Sequence, residues 1–319
     1  MAEIGIELRP ATTEDIEWIA DLETACAPDE PVDGATVAFW WAHDPDSARA
    51  QRFIGPNVYF TARHAEWKAV GRRFGWVGAF VHPSAWSGHV YGHGITLGET
   101  WLEAEGAETA ASRIREDFSQ EITVLVDLGY REVRRHRHWE LDLVARRDLL
   151  LKAAERSRAE MRRHGVVLTT LDRDGDPEAL RKVYALDLES TRDIPTTLPI
   201  HDPTFDEWQQ LYFANPGTRK DRFWIAKIGD EVVGMSLIEF PIGRGIPSTA
   251  YTGTSPRFRG RGIARALKYE TVAQAIAIGA TRVRTSNDSE NAPILHINEE
   301  MGYRPTTPYL ELHKELPQG

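Results

Sequence analysis

The run Arg257-Phe258-Arg259-Gly260-Arg261-Gly262-Ile263-Ala264 constrains this chain more than any other stretch. It follows an extended segment, Thr249 to Ser255, and opens a helical pattern from about Ile263 to Ile278. A strand, a Gly/Arg loop and a helix N-terminus together make an anion site. The first N–H groups of a helix have no internal partner, and the helix dipole favours negative charge there. Gly260 and Gly262 permit backbone angles and a close approach that a side chain would block. The expected occupant is the pyrophosphate of a nucleotide-like cofactor. A dinucleotide fingerprint is absent, because the sixth position from Gly260 is Arg265 rather than Gly or Ala, and no G-x-x-x-x-G-K run exists for a Walker loop.

What does fit is R-x-x-G-x-G, from Arg257 to Gly262, and its surroundings extend the match. Ala280 to Ser286 reads as a short strand. Asn287 and Asn291 follow, then a helical run from about Pro293 to Met301, then Gly302-Tyr303 and a last strand. In Arg257, Gly260, Gly262, Ala264, Asn291, Gly302 and Tyr303, the stretch from Thr249 to about Leu312 resembles the acetyl-CoA-binding half of the GNAT (Gcn5-related) N-acetyltransferases. The resemblance implies an α+β fold with a mixed, mainly antiparallel sheet flanked by helices. It implies acetyl-CoA as cosubstrate, held by Thr252, Gly253 and Thr254 of the strand, by Arg257, Arg259, Gly260, Arg261, Gly262, Ile263 and Ala264 of the loop, and by Asn287 and Asn291.

A length of 319 residues points to two domains. The second begins near Val166, with a strand to Leu171, helices from Pro177 to Glu189 and Thr204 to Tyr212, and a hairpin of Arg222–Ile228 and Glu231–Phe240 turning at Gly229-Asp230. The first half repeats the plan. A strand starts at Ile6 to Arg9, and a helix runs from Thr13 through Leu22. A strand covers Arg73 to Val81, a helix Glu116 to Leu128, and a final strand Arg137 to Leu143. Gly129-Tyr130 and Gly302-Tyr303 are 173 residues apart, Gly92-x-Gly94 and Gly260-x-Gly262 are 168 apart, and Ile6 and Val166 are 160 apart. A duplication is expected: residues 1–145 a degenerate copy, 146–164 a charged helical linker, 165–319 the acetyl-CoA-binding domain. In the first copy the loop reads His89-Val90-Tyr91-Gly92-His93-Gly94-Ile95, without the arginines, so little or no CoA binding is expected there. His89 and His93 lack an evident third metal ligand, and no metal is expected. Trp40, Trp41, Trp67, Trp76, Trp86 and Trp101 suit packing, with a share available to line a substrate pocket.

Composition narrows the partners. A net charge of −10 argues against nucleic acid, and no apolar run reaches bilayer length, so no membrane partner is expected. A single cysteine, Cys26, allows no internal disulfide, and the N-terminus has no signal-peptide core, so the cytoplasm is the default. A homodimer stays open.

In GNAT enzymes a neutral amine attacks the thioester carbonyl, a carboxylate removes the amine proton through water, a strand N–H holds the developing oxyanion and an acid protonates the thiolate. Glu239, ending the strand Val232 to Phe240, is the expected base. The usual acid is a Tyr four residues before the final Gly-Tyr glycine, where this chain has Asn298. Asn298 can hydrogen-bond sulfur but not release a proton. Tyr303, Tyr251 and His296 are the substitutes. The expected reaction is acetylation of a small-molecule, peptide or protein amine. A CoA-binding sensor without turnover is the alternative. A transferase acting on tRNA-linked substrates is disfavoured by the acidic charge.

Overall fold

The strand segments pair into a single sheet that runs through both halves, in a computed structural model that describes residues 5–43, 49–64, 73–192 and 201–317. Trp67 lies outside the described residues. The first half contributes β1 (Arg9–Pro10), α1 (Ile16–Cys26), α2 (Gly34–Ala42), β2 (Ala50–Gly55), β3 (Val58–His64), β4 (Phe74–Val81), α3 (Gly88–Ala104), β5 (Thr109–Arg115), α4 (Ser119–Asp127) and β6 (Arg131–Asp142). Helix α5 (Arg147–Arg163) connects it to β7 (Val167–Thr170), α6 (Ala179–Thr191), α7 (Phe205–Phe213), β8 (Phe223–Ile228), β9 (Glu231–Glu239), β10 (Ser248–Thr254), α8 (Ile263–Ile278), β11 (Arg282–Asp288), α9 (Ala292–Met301), β12 (Arg304–Pro305) and β13 (Tyr309–Glu315). Local signals place many of these boundaries. Thr204 and Glu207 form a reciprocal capping box at the start of α7, Gly229 turns the β8–β9 hairpin at positive φ, and Gly302 ends α9 at φ 89°.

The strand order is β1-β2-β3-β4-β5-β13-β6-β11-β10-β9-β8-β7, with β12 also against β6. The two halves have therefore exchanged their last strands. Strand β13 pairs antiparallel with β5 from Tyr309–Arg115 to Glu315–Thr109, and with β6 on its other edge. Strand β6 pairs with β11 from Arg282–Asp142 to Asp288–His136. The cores follow the exchange. Leu310, Leu312 and Leu316 pack with Phe60, Val77, Ile95 and Tyr130 of the first half, while Trp139, Leu141 and Leu143 pack with Val272, Val283 and Met301 of the second.

One sequence expectation is corrected. The stretch His89–Ile95 is not a loop matching Gly260–Gly262 but part of α3. Its glycines serve close packing. A Cβ on Gly94 would stand 2.3 Å from the Phe60 ring, one on Gly98 2.9 Å from Val77, and one on Gly92 3.1 Å from Val124. Helix α3 meets the sheet and α4 so closely that glycine outweighs its poor helix propensity. His89 and His93 stand one turn apart on it. Among the described residues no group of three or more potential ligands could hold a metal, and no helix is long and apolar enough to cross a membrane.

Candidate cofactor and active site

Strands β10 and β11 run parallel and touch only at Ser248–Arg284 and Thr249–Thr285. A bulge between Thr249 and Tyr251 in the β9–β10 pairing marks the point where they part. Beyond it the strands diverge around a cleft of about 900 Å³. One wall is β10, whose outer edge is turned toward the gap while Thr252, Gly253 and Thr254 pair inward with Ser236, Met235 and Gly234. The other wall is Thr285 to Asp288 with Asn291 at the start of α9, and the end is closed by the loop into α8. An edge of unpaired strand backbone can accept an extended ligand as an added strand.

The loop into α8 is built on two glycines. Gly260 has φ 73° and Gly262, the N-cap of α8, has φ 77°; no side chain caps that helix. The N–H groups of Ile263 and Ala264 therefore end in the cleft, where a Cβ at Gly260 would meet nothing within 4 Å. These residues fit a pyrophosphate. The arginines divide. Arg259 lines the cleft and donates to the Thr254 carbonyl at 3.3 Å. Arg257 and Arg261 do not line it; their guanidinium groups lie 5.5 and 5.1 Å from the centre of the Phe258 ring, and Arg257 is ion-paired with Glu231. Helix α8 itself is held from behind by α5 through a bidentate pair of Arg158 with Glu270, 2.7 Å in both arms.

The expected cofactor residues Thr252, Gly253, Thr254, Arg259, Gly260, Gly262, Ile263, Ala264, Asn287 and Asn291 come together around this one cleft. The expected catalytic residues do not line it. Asn298 is fully buried behind the wall, donating to Asn287 Oδ1 at 2.7 Å. Tyr303 is buried too, and burial holds its phenol well above the ordinary value, which makes it a poor acid here. Tyr251 and His296 do face the cleft, with the Tyr251 hydroxyl 2.8 Å from Ser190 Oγ. Glu239 sits beside Ser248 at the far end of β9; burial raises its carboxyl above the ordinary range against the opposing pull of Thr218 and Asn215. Ser248 lines a smaller adjoining cleft of about 160 Å³, which shares Thr285 and Ser286 with the large one.

Two cleft residues escaped the sequence reading. Lys268 of α8 is 1% exposed yet lines the cleft. It donates to Asn298 Oδ1 at 2.7 Å and lies 4.9 Å over the Tyr303 ring, and it has no ion pair among the described residues. Burial without a counter-charge pushes its ammonium down to about 7. The chain Asn287–Asn298–Lys268 thus joins two walls of the cleft through the residue standing where a Tyr was expected. The only sequence signal is a charge inside the run Ala266-Leu267-Lys268-Tyr269, which reads equally as a solvated face. The second residue is His136, carried into the cleft by the exchanged strand β6, with Nε2 3.3 Å from Glu311.

Residues 181–303 match the model of the Acetyltransferase (GNAT) family, and every lining residue of the cleft except His136 falls inside that match. The match is confined to this stretch of the chain. The whole chain has the fold of a tandem GNAT protein. It superposes on a tandem GNAT protein from the clavulanic acid biosynthesis pathway with a TM-score of 0.77 at 14% identity, covering 98% of this chain and 99% of that one. A GCN5-related N-acetyltransferase from Sphaerobacter thermophilus gives 0.68 at 19% identity, covering 100% and 98%. A glucosamine N-acetyltransferase region of a fungal β-N-acetylglucosaminidase gives 0.69 at 14%, covering 98% of this chain and 38% of the larger one.

Proposed function

We propose that the C-terminal cleft binds acetyl-CoA and that the protein transfers the acetyl group to a primary amine. The observation that carries this reading is the divergence of β10 and β11 onto an uncapped helix start with two left-handed glycines. Acetyl-CoA supplies the acetyl group as a thioester. The N–H groups of residues 259–264 hold its diphosphate, the open edge of β10 pairs with its extended arm, and Asn287 and Asn291 close the opposite wall. The β10 backbone at the bulge donates to the developing oxyanion.

The amine nitrogen bonds to the carbonyl carbon and loses a proton, the C–S bond breaks, and the departing thiolate gains a proton. Lys268 is the group that supplies this last proton, because it lines the cleft, its ammonium titrates near neutral pH, and Asn298 holds it in the place where a Tyr would serve. Glu239 takes the amine proton, its raised carboxyl suiting a base working near neutral pH. The first half holds no CoA. The start of α3 is capped by the Ser87 hydroxyl, 3.5 Å from the Val90 N–H, and no left-handed glycine loop precedes it. The decisive experiment is thiol release from acetyl-CoA by the full chain across an amine library, with CoA binding measured alongside. Turnover with one CoA bound per chain supports the reading. Tight CoA binding with no turnover for any amine replaces it with a sensor, the reading favoured by the burial of Asn298 and Tyr303.

A further inference from the structure

The second large cavity of the molecule, about 870 Å³, lies in the first half, where β4 and β5 part after a short parallel contact from Phe74–Thr109 to Trp76–Ala111. Its position mirrors the acetyl-CoA cleft, but its chemistry differs. The walls are aromatic: Trp41, Tyr59, Trp86 and Tyr91 line the interior, and Trp40, 49% exposed, stands at its edge. Glu30 lines it already paired with Arg284 at 3.2 Å, and two further carboxylates face in, Glu23 from α1 and Glu121 from the first turn of α4. Both act on the Cys26 thiol from opposite elements, so they flank the same part of the cavity.

Neither carboxylate has an ion-pair partner among the described residues. Four arginines stand on the wall: Arg63, itself engaged, and three held by other groups. Arg115 is held by Asp29 and Asp117 at 2.6 and 2.8 Å, Arg113 by Glu311 at 3.3 Å, and Arg52 lies 4.5 Å over the Trp41 ring. Two uncompensated carboxylates inside an aromatic cavity are costly unless something cationic arrives. Burial raises both carboxyls, Glu23 up to about 7. Indole and phenol faces attract a cation, and desolvation strengthens that attraction. The volume lies within the range of small-molecule sites.

We infer that this cavity is a binding site for an organic cation with an apolar body, its charge set between Glu23 and Glu121 and its body against Trp41, Trp86 and Tyr91. The site is separate from the cofactor cleft and does not depend on transferase activity.

The test uses the full chain saturated with CoA, and benzyltrimethylammonium as the probe, followed by calorimetry and by tryptophan fluorescence. The probe binds once per chain, and the neutral isostere with carbon in place of nitrogen binds at least about tenfold more weakly. Glu23→Gln and Glu121→Gln each weaken the probe severalfold or more while CoA affinity, which reports the fold, stays at wild type. Should Glu23→Gln fail to fold, Glu121→Gln alone decides. Failure of the probe to bind, equal affinity for the neutral isostere, or wild-type probe affinity in a folded glutamine variant overturns the proposal.

Discussion

Lys268 is buried in the wall of the C-terminal cleft, and its pH behaviour is a direct readout of that burial. The folded-state value near 7 lies below the ordinary 10.5. Between those values the unfolded chain binds a proton that the folded chain does not, so stability rises with pH in that window. Below about pH 7 both states are protonated and the penalty is fully present. Lys268→Met removes the titration. Whatever offset follows from Asn298 losing its donor, the stability of the variant relative to wild type falls by about 1.4 kcal/mol per pH unit between pH 7 and 10. Denaturant unfolding at three pH values in that range measures it; a constant difference means that Lys268 is solvated. Glu239 is tested by kinetics. Glu239→Gln keeps the size and removes the base, so kcat with an identified amine falls by about 10²–10⁴-fold at pH 7 while CoA affinity holds. The loss shrinks at high pH, where more of the amine is already neutral. Wild-type turnover at pH 7 moves the base elsewhere.

Glycine has opposite meanings in two elements of this fold. At the start of α8, Gly260 and Gly262 hold left-handed angles, and the space beside Gly260 is open. Gly260→Asp with Gly262→Asp strains the loop and sets carboxylates against the diphosphate. CoA affinity falls at least about tenfold, roughly 1.4 kcal/mol, by calorimetry. Within α3, Gly94 is helical, and the Phe60 ring fills the space where a side chain would go. Gly94→Ala gains helix propensity but overpacks the core. It destabilises the protein by about 1–3 kcal/mol in thermal or denaturant unfolding and leaves CoA affinity unchanged. A variant as stable as wild type would show that Phe60 can move aside. The sequence holds both glycine pairs in similar spacing. Neighbours that arrive from elsewhere in the chain tell them apart.

At the scale of the molecule, the exchange of β6 and β13 makes the halves interdependent. Fragment 165–319 would leave β11 without its partner β6, and β13 without either neighbour. It would also lose Trp139, Leu141 and Leu143 from its core, and His136 from the cleft. Contacts outside the sheet add to this: Asp33 accepts from the Gly243 N–H at 2.7 Å, and Arg244 pairs with Asp21 of α1 at 2.5 Å. Expressed alone, 165–319 aggregates through exposed strand edges. Co-expressed with 1–164 as a separate chain, it regains solubility and CoA binding. A monomeric, CoA-binding 165–319 on size-exclusion chromatography would refute this dependence.

The sequence by itself determined the order of elements in the second half, the glycine loop before α8 and where the helices of that half run. These rest on local physics: left-handed glycines, a capping box at Thr204 and Glu207, and apolar periodicity. It also placed Gly129-Tyr130 and Gly302-Tyr303 at the ends of helices, α4 and α9. Only the tertiary structure decided which strand neighbours which. The alternation in Arg131–Asp142 and Tyr309–Glu315 specifies a strand but not a partner, and the exchange joins residues 140 or more apart. The same limit hid Lys268, a solvated lysine until α9 and the Tyr303 ring cover it. It also hid the packing role of the α3 glycines, and the turning of Arg257 and Arg261 onto Phe258 instead of into the cleft. Burial and pairing belong to the whole chain, and the charge and reach of a side chain follow from them.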